Sequence, residues 1–275
     1  MQDTCRKHLQ QGLSIGFVPT MGALHDGHLS LIKRAQTENN LVVVSIFINP
    51  IQFGPAEDFA TYPRDIDNDI AKIREIGIDA MFIPDNKLMY TSGFSTYIQV
   101  DPISDRLCGS FRPGHFRGVA TVVAKLLNIV APTRAYFGQK DFQQTVIIKR
   151  IAKDLNFHSE IVVCPTVREK DGLAMSSRNR YLNPAERSSA TAIFRAITTA
   201  SEMLQSGSGS VLAARELLQG ELKKEALITG IDYASVFDSE TLEEAQDLTN
   251  MREVLIAVAV RMGRTRLIDN MPVHL

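Results

Sequence analysis

Hydrophobic positions in the first two thirds of the chain alternate between two periods. Residues 14–19 form a short apolar run closed by proline and read as a strand. Leu29, Leu31, Ile32 and Ala35 then recur at helical spacing. Residues 41–48 follow as a continuous run rich in Val and Ile, stopped by Asn49-Pro50. An unbroken apolar run suits a strand buried on both faces, and the stretch between the two runs suits a helical crossover joining parallel strands. The opening therefore predicts a βαβ unit. The alternation continues with a helix over 65–76, its face formed by Ile66, Ile70, Ile73 and Ile76. It runs on through a strand over 80–83, a buried helix over 119–130, a strand over 135–137, a helix over 141–155 and a strand over 160–164 ended by Pro165. Such regularity predicts an α/β fold: a Rossmann-like doubly wound parallel sheet wrapped by helices.

The pattern then changes. Asn183-Pro184-Ala185-Glu186 carries a capping residue, a proline for the first turn and a glutamate that can reach back, which together predict a helix start. Ile193, Phe194, Ile197 and Leu204 follow on one face, residues 206–210 alternate Ser and Gly as a flexible break, and 211–227 reads as a second helix. Strands are expected over 231–237 and 254–260. These features predict a second, smaller α+β domain, with the division at 1–168 and 169–275.

Composition narrows the function classes. The 275 residues carry 30 Lys and Arg against 31 Asp and Glu, a net charge of -1, so the electrostatic footprint of a nucleic-acid binder is missing. Hydrophobic residues at 44% can build a sizeable core without staples. The apolar stretches 41–44 and 254–260 are too short to span a bilayer, and the first residues hold no run of signal-peptide length. Cys5, Cys108 and Cys164 are odd in number and widely spaced, so neither a metal pair nor a disulfide framework is expected. The expectation is a cytoplasmic protein with reduced thiols, no membrane partner and no nucleic-acid partner.

Candidate chemistry collects at the predicted strand ends, where open parallel sheets bind their ligands. Pro19-Thr20-Met21-Gly22-Ala23-Leu24-His25-Asp26-Gly27-His28 follows the first strand and opens the first helix. Two glycines allow close backbone approach, a helix start favours phosphate, and two imidazoles three residues apart share a face there. Gly22 to Gly27 reads GxxxxG, but His28-Leu29 stands where Lys-Ser/Thr would be needed for a Walker motif. The bland alternative is a pair of surface histidines. Gly138-Gln139-Lys140-Asp141-Phe142-Gln143-Gln144 precedes another helix; Asp141 can simply cap it, and Lys140 can serve either a phosphate or solvent. Lys170-Asp171-Gly172-Leu173-Ala174-Met175-Ser176-Ser177-Arg178-Asn179 offers hydroxyls and a guanidinium fork suited to phosphate oxygens, or serves only as a polar linker. Phe47-Ile48-Asn49-Pro50-Ile51-Gln52-Phe53 places a neutral donor-acceptor beside aromatic rings, as a small polar substrate would need. Arg112-Pro113-Gly114-His115-Phe116-Arg117-Gly118 reads as a wall or structural turn. No metal site made of protein side chains is expected.

PTMGALHDGH, FINPIQF, GQKDFQQ and MSSRN in this order resemble the pantothenate synthetase (pantoate–β-alanine ligase) family over almost the whole chain. HDGH is similar to the HxGH signature of the wider nucleotidyltransferase superfamily, and MSSRN to its second, mobile phosphate-binding signature. The resemblance implies that ATP, with Mg²⁺, and pantoate give a pantoyl adenylate and pyrophosphate, which β-alanine then converts to pantothenate and AMP. It implies an ATP site from Met21, Gly22, Ala23, Leu24, His25, Asp26, Gly27, His28, Gly138, Gln139, Lys140, Asp141, Val167, Met175, Ser176, Ser177 and Arg178. His28 would be the proton donor with His25 its partner, and Lys140 and Arg178 would add catalytic charge. Pantoate would meet Gln52, Gln144 and Asn49. A homodimer is expected, and the smaller domain is expected to act as a lid. The chain reaches Pro19 earlier than many members do, and Gln139 stands where members often carry Glu. A related nucleotidyltransferase and a non-catalytic nucleotide-binding regulator are the rival readings.

Overall fold

The computed structural model describes residues 1–55 and 57–275. The chain packs as two compact units. The first comprises 1–105, 112–139 and 144–165; the second comprises 106–111, 140–143 and 166–275.

The first unit opens with α1 (Gln2–Gln10), which buries only Cys5 and so leaves no apolar stripe to read in the sequence. Then follow β1 (Ile15–Thr20), α2 (Asp26–Glu38), β2 (Leu41–Ile46), α3 (Ile66–Ile76), β3 (Ala80–Phe82) and α4 (Asn86–Met89). After α5 (Cys108–Phe111), which belongs to the second unit, come α6 (His115–Val130), β4 (Arg134–Gly138), α7 (Phe142–Asp154) and β5 (Glu160–Cys164). The sheet is parallel throughout, in the order β3-β2-β1-β4-β5. Register runs from Ile15 opposite Leu41 to Thr20 opposite Ile46, and from Arg134 opposite Glu160 to Gly138 opposite Cys164. Central β1 and β2 are buried on both faces, as their unbroken apolar runs require. The order reverses between β1 and β4, so the ends of these neighbouring strands form the topological switch point.

One helix face departs from its apolar pattern. In α3, Ile66 is 40% exposed and Asp69 is 1% exposed. The polar residue is buried because it has backbone donors to satisfy.

The second unit holds an antiparallel sheet, β6 (Ile228–Asp238), β7 (Glu253–Met262) and β8 (Thr265–His274), in that order. Helices α8 (Pro184–Ser189), α9 (Ala192–Gln205) and α10 (Val211–Lys223) accompany it. The capping box forms: Asn183 Oδ1 accepts from the Glu186 N–H at 2.9 Å, and Glu186 Oε2 accepts from the Asn183 N–H at 2.9 Å. Ile193, Ile197, Leu204 and Leu218 pack with Val254, Ile256, Val258 and Val260 into one core. β8 escaped the sequence reading because Arg266, Asp269 and Asn270 interrupt its apolar residues; Asp269 and Asn270 are nevertheless buried. Among the described residues, no helix is long and apolar enough to cross a membrane.

Candidate active site

The segment after β1 is held tightly. Thr20 donates its hydroxyl to the Ser45 carbonyl at 2.8 Å and accepts from the Gly22 N–H at 3.2 Å. Gly22 and Ala23 both adopt positive φ, 81° and 51°. A Cβ on Gly22 would stand 2.9 Å from Asp69 Oδ2 and 3.2 Å from Ile46 Cγ2, so glycine is needed there for space as well as conformation. Ala23 has no such freedom, and the left-handed region costs a non-glycine residue roughly 1–2 kcal/mol. Two bonds offset that cost: the Ala23 and Leu24 N–H groups each donate to the Asp69 carboxylate at 2.7 Å. Lys72, one turn further along α3, donates to the Leu24 carbonyl at 2.7 Å.

This clamp delivers the chain to His25, the N-cap of α2. The His25 N–H donates to His28 Nδ1 at 3.3 Å, and the two rings lie 4.1 Å apart between centroids. Because Nδ1 accepts, a neutral His28 ring carries its proton on Nε2 and presents a donor there. The N–H groups of Gly22, Ala23, Leu24 and His25 are thus engaged within the protein, and an anion approaching α2 meets the first-turn N–H groups of Asp26 and Gly27.

The turn after β2 forms a second group. Asn49 is 1% exposed; it donates to Gln52 Oε1 at 2.9 Å and to the Gly118 carbonyl at 3.1 Å, and accepts from the Tyr90 hydroxyl at 2.6 Å. Burial raises the pKa of Tyr90, which keeps the phenol a donor. Gln52 donates through Nε2 to Met21 Sδ at 3.0 Å, linking this turn to the segment after β1. The Gln52 carbonyl accepts from His115 Nδ1 at 2.7 Å, and His115 Nε2 lies 3.0 Å from Arg112. Arg112 in turn grips Glu57 with two guanidinium nitrogens, one at 2.9 Å. Burial by itself would raise the Glu57 pKa, but the hydrogen bonds and charge of Arg112 outweigh it and hold the carboxyl below its usual range. So Asn49 is committed to protein partners, while Gln52 is the carboxamide set beside Met21.

β4 ends at Gly138, where a Cβ would meet nothing within 4 Å. Gln139–Asp141 is a short 3-10 turn before α7. Lys140 and Asp141 belong to the second unit; their charged atoms stand 3.9 Å apart, and Asn270 donates to the Lys140 carbonyl at 2.8 Å. Gln143 is buried, accepting from the Cys108 N–H at 3.0 Å and donating to the Arg106 carbonyl at 2.7 Å. Its neighbour Gln144 is half-buried.

Val167 to Met175 is a small hairpin in the second unit, closed by a bridge between Arg168 and Ala174 and by the Met175 N–H donating to the Val167 carbonyl at 3.0 Å. Arg168 is fixed by Asp269 at 2.6 and 3.0 Å and stacks on Phe194. Arg187 holds Asp171 at 2.8 and 3.1 Å. Ser176 then caps a 3-10 helix, Ser177–Tyr181, accepting from the Arg178 N–H at 3.3 Å.

In the first unit, the structure gathers Met21, the two histidines and Gln52 around the end of β1 and the turn after β2. Asp69, Lys72 and Tyr90 went unread in the sequence, because no spacing ties them to partners 46, 48 and 41 residues away. Aspartates crowd the start of α3, but nothing in that cluster marks the buried one.

A nucleotide-binding α/β class follows from the switch point and the histidine-capped helix beside it. Comparison with known proteins gives the particular family. The Pantoate-beta-alanine ligase family matches residues 1–272. A pantothenate synthetase from Thermodesulfovibrio yellowstonii is 54% identical over 274 residues, covering 100% of this chain and 97% of that protein. The crystal structure of a pantothenate synthetase from Thermus thermophilus matches with a TM-score of 0.90 at 46% identity, covering 95% of this chain and 94% of that one. A pantoate–β-alanine ligase from Francisella tularensis, in complex with β-γ ATP and β-alanine, matches with a TM-score of 0.79 at 36% identity, covering 98% and 93%. The chain belongs to the pantoate–β-alanine ligase family, the ligases of pantothenate biosynthesis.

Proposed function

We propose that this chain joins pantoate to β-alanine at the expense of ATP, through a pantoyl adenylate. The pantoate carboxylate attacks the α-phosphorus, the bond to the β-phosphate breaks, and pyrophosphate leaves. The β-alanine amine then attacks the acyl carbon, loses a proton, and AMP departs with its bond to the acyl group broken. ATP is bound through Met21–Leu24, His25–His28, Gly138–Asp141, Val167 and Met175–Arg178. Pantoate is bound through Gln52 and Gln144, with Asn49 holding the Gln52 carboxamide in place.

Such chemistry needs positioning and charge stabilisation rather than a protein nucleophile. The observation that carries the reading is the His25–His28 pair at the start of α2, beside the switch point, where His28 Nδ1 accepts from the His25 N–H, so that a neutral ring carries its proton on Nε2. That donor suits charge developing on the phosphate, and Lys140 and Arg178 add positive charge. Mg²⁺ would accompany ATP and supply positive charge against its phosphates. The balanced charge and reduced thiols support a cytoplasmic setting, and a homodimer is the proposed assembly.

Incubation with ATP, pantoate and β-alanine tests the reading. AMP, pyrophosphate and pantothenate are expected, with pyrophosphate exchange on ATP and pantoate alone. Formation of ADP and phosphate would replace the adenylate route with a phosphoryl one.

A further inference from the structure

The structure assigns Asp69 and Lys72 of α3 as positioning residues that set the tautomer and placement of His28, a role that rests on the proposed function only for its kinetic consequence. A peptide unit is planar, so holding either its N–H or its C=O fixes the direction of both. Asp69 accepts from the N–H groups of Ala23 and Leu24, which fixes the 22–23 and 23–24 planes. Lys72 donates to the Leu24 carbonyl, which fixes the 24–25 plane. That third plane contains the His25 N–H. With the Leu24 carbonyl drawn to Lys72, the His25 N–H points the opposite way, and His28 Nδ1 receives it at 3.3 Å. Three consecutive planes are therefore locked from one helix by residues three apart, on the same face of α3.

The consequence is chemical. An imidazole whose Nδ1 accepts must hold its proton on Nε2, the atom that would donate to a phosphate oxygen. Asp69 is 1% exposed, and both bonds of its carboxylate go to this segment. It also fills the concave run of backbone donors that would otherwise attract an outside anion, leaving anion binding to the start of α2. Asp69→Asn turns one acceptor into a donor facing an N–H group, so at least one plane is released.

The test uses protein labelled with ¹⁵N at histidine. In the unaltered chain, His28 should show a bare Nδ1 and a protonated Nε2. Asp69→Asn should mix the two tautomers and slow ATP–pantoate pyrophosphate exchange by about 10- to 100-fold, the scale of a displaced catalytic group. KM for pantoate should move less than the exchange rate, because Asn49 still holds the Gln52 carboxamide oxygen. Lys72→Met should act in the same direction and carries the test if Asp69→Asn does not fold. A wild-type His28 pattern with unchanged exchange in a folded variant overturns the assignment. An unaltered enzyme with no exchange activity, whose His28 tautomer still shifts in the variants, would refute the proposed reaction and support the positioning role.

Discussion

His28 owes its proposed role to a bond made by its other nitrogen, and that makes its removal informative. Its side chain is half-buried at a helix start rather than in a core, so His28→Ala should keep the fold. It should slow pyrophosphate exchange by roughly 10²-fold, the loss typical of one donor to developing charge. Near-normal exchange in a folded variant would remove His28 from the chemistry. Glu57 gives a prediction of a different kind. Burial opposes its charge, but Arg112 outweighs burial and keeps its pKa below the ordinary 4.5. A depressed carboxylate contributes stability that is present above the unfolded value and lost as pH falls through the folded one. Urea melts should therefore show wild type more stable than Glu57→Gln at neutral pH, with the gap closing as pH drops below 4.5. A gap that is constant down to acid pH would mean that the ion pair adds nothing.

Among elements, the approach of α6 to the turn after β2 is the most demanding contact. A Cβ on Gly118 would overlap the Ile51 carbonyl and stand 2.6 Å from Gln52 Cα, and neither backbone atom can swing aside. Gly118→Ala should cost about 1–3 kcal/mol, as overpacking does. It should also raise KM for pantoate more than KM for ATP, because the displaced backbone carries Gln52 and breaks the Asn49 bond to the Gly118 carbonyl. Equal changes in both constants would make the contact one of stability alone. Nothing in the chain before folding marks Gly118 as different from the glycines of open loops. Central β1 and β2 were legible because burial on both faces demands largely apolar runs, while edge strand β5 (Glu160–Cys164), whose burial alternates, was legible from its short apolar run ended by Pro165. The histidine pair was legible because both members sit within one turn of a helix start. Asp69 and Tyr90 were not, since their partners come from the far side of a crossover. β8 was hidden for a related reason: Asp269 is buried by its pairing with Arg168, a contact 101 residues apart.

Each of the two units has a hydrophobic core. One gathers Val18, Ile32, Val44 and Tyr136 in the first unit, and another gathers Ile197, Leu218, Ile256 and Val258 in the second. Stability and ligand response are then best read segment by segment, since multi-unit chains depart from all-or-none unfolding. Within the second unit, the 167–175 hairpin is already closed: the Glu169, Gly172 and Met175 N–H groups donate to Leu173, Glu169 and Val167 carbonyls at 2.8–3.0 Å. Beyond Met175, Ser176 caps the next turn, its Oγ accepting from the Arg178 N–H at 3.3 Å. With Met175–Arg178 proposed to bind ATP, nucleotide should slow hydrogen exchange at 176–178 while leaving Glu169, Gly172 and Met175 slow in both states. A mixed anhydride must also be kept from water until the amine arrives. If Arg178 helps to order this segment around nucleotide, Arg178→Ala should weaken ATP binding and release more AMP than pantothenate, the excess being adenylate lost to hydrolysis. Exchange at 176–178 that ignores ATP, together with one AMP per pantothenate in Arg178→Ala, would leave the segment without a part in the reaction.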